Sequence, residues 1–493
     1  MGAGETLLTR PEGQLKLIQD DKGDVRVVGR KPRNLEGVLI GKTPREAAYL
    51  TQQLTVDGGV FHTLASVMAL EQAGKIPLAH NGQLLRDLIF SLSLIHAHLR
   101  HFYLRLLPDY MGLSELEKYR GGIPEILAAK NGIGQKGARS WLKHPMKNSF
   151  KFSQLLQFTE NQYQAVKVLT ELQRMIAIIG GKFPMVMSIV PGGVSARVKE
   201  PVIIRLEAHL REISGFLSEV PLSDVSELIK GVPEIKTQGQ GTRQFICAGS
   251  IGDEAGPDAA MFPSGVFLDN TLSLFQPNFS ESIDTAFYRI PLKSGSKLGI
   301  LEAAPAKPEA YSWIKSPRYQ GRMMETGAQA RLLVTQLTGA RSFVAPILAK
   351  FEELLGKPVS EANTTAGRML ALVGEIAPLA KRCQEIIMTL NPGQPVVQTG
   401  FSPDDITGEG IARVESPSGM VSHHLVLEDG RIRFYDIVSP GTWNGASRGE
   451  GGEKGPMETA LNADKLDLSK SRDQLTASRI VQSYSFSMTD AVH

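Results

Sequence analysis

Few residues in this chain could carry redox or metal chemistry. Of its 493 residues only Cys247 and Cys383 are cysteines. Two thiolates cannot complete a four-cysteine iron–sulfur or zinc site. No spacing argues for a disulfide between them, so each reads as a small buried apolar side chain. Three histidines lie close together, His96, His98 and His101. On a helix 98 and 101 share a face while 96 and 98 do not, which favours inter-helix hydrogen bonding over a metal site. No phosphate loop and no Ser–His–Asp arrangement stands out. The most chemically dense stretch is the last, Ser483-Tyr484-Ser485-Phe486-Ser487-Met488-Thr489-Asp490-Ala491-Val492-His493, which offers hydroxyls, one carboxylate and an imidazole.

The elements that must position these residues follow from composition and pattern. Hydrophobic residues make up 42% and charged residues 21% of the chain, the balance of a soluble globular protein. A net charge of +3 is too small to argue for nucleic acid or a membrane surface. Met1 to Glu12 holds no apolar run, so no signal peptide is expected there. The longest apolar stretch, Leu84 to Leu107, is broken by Arg86, Asp87, His96, His98, Arg100 and His101, and reads as a buried helix, not a membrane span.

Along the chain, Leu7 to Val28 reads as strands with a turn at Asp20-Asp21-Lys22-Gly23. A helix starts at Pro44 with Thr43 as N-cap, and His62 to Gln72 continues helical to a stop at Gly74. Asn81 to Leu107 is a long helix. Leu116 to Ser149 reads as loop and short helix, Ser153 to Ile179 as a helix closed by Gly180-Gly181, and Pro201 to Leu217 as another. Strands and turns are expected over 230–300, helices over 325–390, and a hairpin at Val421 to Leu427 and Ile432 to Ile437 across Glu428-Asp429-Gly430. Residues 445–475 read as irregular. The prediction is an α+β, predominantly helical, single large domain with small peripheral sheets: an N-terminal sheet region (1–60), a helical core (61–220), an irregular or strand insertion (221–324), more helical core (325–395), and a C-terminal sheet region with a tail (396–493).

Separated stretches, in one order, resemble the nickel-iron hydrogenase large subunit. The C-terminal stretch matches that family's R-S-F-D-P-C-x-x-C-x-V-H at Ser483, Val492 and His493. Thr9-Arg10-Pro11-Glu12-Gly13 resembles its T-R-x-E-G, and Arg33-Asn34-Leu35-Glu36 its R-G-x-E. Thr51 to Ser66 aligns with its first ligand motif, matching at His62, Leu64, Ala65 and Ser66. His96, His98, His101, Phe102 and Tyr103 match H-x-H-x-x-H-F-Y. Gly180-Gly181-Lys182, Gly192-Gly193, the run Glu325 to Arg331, Glu415-Ser416-Pro417-Ser418-Gly419, His423 and Thr442-Trp443-Asn444 match further segments.

The resemblance implies a hydrogenase-like fold with a central helix bundle and a changed active site. Where the family keeps four cysteine ligands of a nickel–iron centre, this chain has Thr55, Gly58, Ser487 and Asp490. Neutral hydroxyls, a hydrogen and one hard carboxylate do not replace soft thiolates, so no nickel–iron centre is expected. Ser418 stands where the family carries an arginine over the metals. Glu12 matches a proton-transfer glutamate and is read as vestigial. Glu36 and His493 match two ligands of a magnesium-type site. The resemblance further implies an iron–sulfur small subunit as partner, with clusters only in that partner and further electron-transfer subunits beyond it. The expected function is a non-catalytic large subunit in an electron-transfer complex, cytoplasmic or exported with a signal-bearing partner. The helix around His62 to Glu71 and the N-terminal strands are its expected partner surface. The alternatives are an enzyme with altered chemistry in the vacated pocket, using Glu12, Asp490 and Thr55, and a hydrogenase maturation scaffold. The family clips a tail after its final histidine, and here the chain is expected to be encoded without one.

Overall fold

The computed structural model describes residues 4–10, 13–30, 34–55, 58–111, 120–122, 150–249, 261–276, 279–290, 301–339, 344–402 and 405–487. Glu12, Asp490 and His493, and nearly all of the expected Leu116 to Ser149 segment, lie outside the described residues.

The centre is a set of long packed helices. His80–His101 packs against Phe152–Gly180 and Ile376–Thr389, and Glu200–Gly231 closes the bundle against Phe152–Gly180, Thr365–Gly374 and Ile376–Thr389. The sequence reason is spacing: Leu85, Leu88, Leu92, Ile95 and Leu99 recur every three or four residues, and all are fully buried. Each such side chain contributes about 1.5–3 kcal/mol when taken from water. Helix ends follow local chemistry. At Pro44–Thr51, Thr43 accepts from the Glu46 amide while the Glu46 carboxylate accepts from the Thr43 amide, with Pro44 at the first helical position. Gly181, at φ 82°, closes Phe152–Gly180.

Three three-stranded antiparallel sheets accompany the bundle; one is Phe245–Cys247, Gly265–Leu268 and Thr271–Ser273, and the other two come from the ends of the chain. Glu5–Arg10, Gly13–Gln19 and Val25–Val28 form one, whose Leu15, Leu17, Val25 and Val27 pack on Met457, Leu461, Ile480 and Val481. Gly408–Ser416, Gly419–Glu428 and Arg431–Val438 form the other. Its tight turn has Asp429 at φ 50° and Gly430 at φ 67°, both positive, as a two-residue hairpin of this twist requires. This sheet lies on helix Gly59–Gly74 so closely that a Cβ at Gly410 would sit 1.9 Å from the Ala69 carbonyl oxygen.

The structure corrects several expectations. The Pro201 to Leu217 helix continues to Gly231 through Pro221; its buried stripe, Leu206, Leu210, Ile213, Leu217, Val225 and Leu228, outweighs the amide that proline lacks. Residues 445–475 hold the helix Pro456–Ala463 and the start of Ser471–Ser483, because Met457, Ala460 and Leu461 bury at helical spacing among glycines. The segment after Ser483 is turn and coil up to Ser487. Helix Gly59–Gly74 buries twelve of its sixteen residues, so it is core and offers little partner surface. Cys247 and Cys383 are buried and not joined in a disulfide. Among the described residues no helix is long and apolar enough to cross a membrane.

The last helix is latched by Tyr484. Its hydroxyl donates to the Pro456 carbonyl at 3.0 Å and accepts from Arg368 Nη2 at 2.7 Å, while the Arg368 guanidinium stands 3.9 Å over its ring. Arg368 also binds Glu325 Oε1 at 2.8 Å. Tyr484→Phe should therefore lower unfolding stability by about 1–2 kcal/mol, read from the urea midpoint at unchanged m value. No change would show that the latch is not where the C-terminus is held.

Candidate functional site

After Tyr484 the chain reverses at Ser485, held at φ 52°, and carries Ser487 toward the end of a short 3-10 turn, Gln52–Leu54. There the Ser487 and Thr55 hydroxyl oxygens are 3.1 Å apart. Two residues 432 positions apart in sequence, singled out above as former ligand positions, thus touch directly. Gly58 stands just before helix Gly59–Gly74, and a Cβ there would lie 2.7 Å from the Thr55 methyl. The threonine methyl fills the space a side chain at 58 would need. What is left is a cavity of about 20 Å³, room for roughly one water. Ser418 and Pro417 border one side and Ala97, His101 and Arg105 the other.

His62, on the same cavity, heads a buried hydrogen-bond chain. The Tyr435 hydroxyl donates to Ser66 Oγ at 2.9 Å, so its oxygen accepts from His423 Nδ1–H at 2.8 Å. His423 Nε2 is then the acceptor for His62 Nδ1–H at 2.9 Å. One hydroxyl direction fixes both imidazole tautomers.

The other matched histidines are tied into the bundle. His101 Nε2–H donates to the Gln482 carbonyl at 2.7 Å, and Gln173 donates to His96 Nε2 at 3.1 Å. Burial pulls His96 down to about 4, so it is neutral. His98 binds Glu375 Oε2 at 2.8 Å. Burial drives His98 below its ordinary value against the pull of that carboxylate, so a neutral His98 donates through Nε2–H. Glu375 also receives two bonds from Arg331, each 2.8 Å, and Arg331 Nη1 reaches Glu415 Oε2 at 2.9 Å and the Ser416 carbonyl at 2.7 Å. Burial alone would raise Glu375, but Arg331 and His98 bring it below the usual range; Glu415 stays above it because burial outweighs Arg331.

Glu36 sits in a second cluster. It accepts from the Ile437 amide at 3.0 Å and faces the Lys315 ammonium at 3.5 Å. Lys315 also meets Glu281 at 2.7 Å and Asp436 at 3.2 Å. Burial would lower the ammonium, but the three carboxylates hold it well above the lysine range. Burial pushes Glu281 up to about 7, and Asp436 is raised by burial and by the adjacent Glu36. Glu281 Oε1 is shielded from solvent and has no hydrogen-bond partner.

A sequence profile for the family described as nickel-dependent hydrogenase matches residues 33–130 and 130–493. The chain belongs to that family. It is 26% identical over 502 residues to the periplasmic NiFeSe hydrogenase large subunit of Desulfomicrobium baculatum, covering 99% of this chain and 93% of that protein. To the hydrogenase-2 large chain of Escherichia coli it is 25% identical over 551 residues, covering 99% and 96%. The reduced Ni-Fe-Se hydrogenase of D. vulgaris Hildenborough superposes with a TM-score of 0.84 at 23% identity, covering 100% of both chains. The α+β, mainly helical single domain expected from sequence is the fold of these hydrogenase large subunits.

The two metal groups that the family suggests fare differently against these residues. A nickel–iron centre does not fit the described donors: two hydroxyls bonded to each other, a glycine whose side-chain space is filled, and room for one water. A hard divalent cation does fit the Glu36 cluster. Once ionised, the three carboxylates exceed the one ammonium by two charges, and one carboxylate oxygen is unsatisfied.

Sequence reasoning named Thr55, Gly58, Ser418 and Ser487, which line one cavity, and Glu36, but it did not single out Arg105, Lys315, Glu281 or Asp436. The last three come from segments far apart in sequence, and nothing local marks them as neighbours. If Thr55 and Ser487 meet as described, the Thr55→Cys/Ser487→Cys double variant should form an intramolecular disulfide on mild oxidation, seen as a reduction-sensitive mobility shift and in peptide mass maps. Two persistently free thiols would contradict the pocket geometry.

Proposed function

We propose that this chain is a non-catalytic large subunit of hydrogenase type, the structural partner of an iron–sulfur small subunit in an electron-transfer complex. The observation that carries the reading is the direct Thr55–Ser487 contact, with the Thr55 methyl in the space of a side chain at 58. Such a pocket has neither the sulfur nor the room for two metals. The partner is inferred from relatives named as hydrogenase large subunits and large chains, and its clusters would be its own. Elemental analysis of the native complex, with mass spectrometry of what co-purifies, tests this. Nickel far below one per chain and a cluster-bearing small subunit are expected; stoichiometric nickel, or hydrogen uptake dependent on this chain, would end the proposal.

We further propose that the former active site's neighbour survives as a magnesium-type clamp, with Glu36 and His493 as ligands and Asp436 and Glu281 supplying charge. A bound divalent cation neutralises the cluster and ties helix Leu35–Leu39 to strand Arg431–Val438. Its pH dependence has a defined sign. Glu281 has its carboxyl pushed up from 4.5 to about 7 in the metal-free fold. Between those values the folded state holds more protons than the unfolded one, so metal-free stability falls as pH rises through 4.5 to 7. Magnesium needs the ionised carboxylates, so its affinity grows over the same window. At pH 8, magnesium at a hundredfold excess over its Kd should stabilise the fold by about 2.7 kcal/mol, shrinking toward pH 5.5. Melting curves in EDTA and in magnesium at both pH values measure it, and an equal shift at both would remove Glu281 from the site.

A further inference from the structure

Helix His80–His101 does not end as an α-helix. Over Phe102–Leu106 it widens into a π-turn, in which the Leu107 amide donates to the Phe102 carbonyl. The turn changes which residues face the pocket. In an α-helix, positions four apart drift by about 40° around the axis. The wider turn drifts the other way, so Arg105 comes back over His101 and Ala97, and all three border the Thr55–Ser487 cavity. Single π-turns of this kind tend to mark places where a side chain has been re-aimed for a purpose.

Arg105 is half-buried, whereas its neighbour Leu104 points outward. Among the described residues lining this cavity Arg105 carries the only permanent charge; the rest are hydroxyls, imidazoles, a glycine, an alanine and a proline. A guanidinium is planar, cannot lose its proton and presents five donors. Hydroxyl oxygens at Thr55, Ser418, Ser485 and Ser487 are suited to receive such donors.

We propose that Arg105 is the resident cation of the vacated pocket: the π-turn delivers its guanidinium to the space framed by Thr55, Ser418 and Ser487, where its charge and bulk hold residues 484–487 closed without a metal. The inference rests on the reading that this pocket holds no nickel–iron centre, and gives that reading a physical replacement.

The test is hydrogen–deuterium exchange on the full chain with whatever partner co-purifies. Arg105→Ala should raise amide exchange across residues 484–487 about tenfold, as a local opening does, while the Phe152–Gly180 helix stays protected. Guanidinium chloride at low millimolar concentration, far below denaturing levels, should restore protection; sodium chloride at equal ionic strength should not. Arg105→Lys should stay near wild type and Arg105→Met should not. Unchanged exchange in Arg105→Ala, equal rescue by sodium chloride, or a methionine variant as protected as wild type would overturn the proposal. If Arg105→Ala fails to fold, the lysine and methionine variants decide alone. Stoichiometric nickel in the native protein sinks the reading of the previous section; a flat exchange profile with no nickel present sinks only this one.

Discussion

Arg331 has no exposed surface and cannot give up its proton, so its surroundings must answer its charge. Glu375, Glu415 and the Ser416 carbonyl do so within 2.9 Å. Those partners come from the start of one helix and the last two residues of one strand, and Glu375 passes the linkage on to His98 in helix His80–His101. Removing one member would strand a buried charge at a cost of about 3–5 kcal/mol. Such a network therefore tolerates little sequence change, and it fixes the Ser416-Pro417-Ser418 segment that borders the pocket from below. Arg368, Glu325 and Tyr484 repeat the arrangement on the other side, where they fix the approach of the C-terminus.

The pocket and its supports thus answer to different constraints. Glu325, Arg331, Glu415, His98 and His101 bind protein partners, so their roles persist whatever occupies the cavity. Thr55, Gly58 and Ser487 sit at element ends and in coil, where a side chain can change without stranding a buried charge. This division explains how a chain keeps the whole hydrogenase large-subunit architecture around a cavity lined by hydroxyls and a glycine. The network meets the cavity through the Ser416 carbonyl, which Arg331 holds at 2.7 Å, so it shapes one wall without relying on the side chains at 55, 58 or 487.

Much of this was legible in the sequence, for physical reasons. Helices such as His80–His101 and Phe152–Gly180 announce themselves by long apolar periodicity, and Thr43-Pro44 and Asp429-Gly430 are local chemical signals that need no tertiary context. The proline inside Glu200–Gly231 misled because its local penalty is offset by burial that only the packed bundle supplies. Pro456–Ala463 was hidden among glycines, since three buried apolar residues in eight give little periodicity. The pairing of Thr55 with Ser487 came from motif order, not from spacing. Arg105 had no signal at all: its orientation depends on a π-turn, a change of one hydrogen-bond register that sequence patterns do not record. Lys315 and Glu281 are ordinary charged residues whose importance arises only from meeting Glu36 and Asp436.

That meeting bears on which metals such a scaffold can hold. Soft, redox-active metals need thiolates, and thiolates are a property of a few side chains in one cavity. A hard cation needs carboxylate oxygens, and here three carboxyl groups, Glu36, Glu281 and Asp436, gather around the single charge of Lys315. Hydroxyls at Thr55 and Ser487 bear on the first requirement and leave the second untouched. The proposed loss of one site and survival of the other are compatible, because the two draw on different chemistry and share no side chain among the described residues. The order of loss follows from coordination preference: the site built on soft donors is fragile to substitution, and the one built on distributed charge is not.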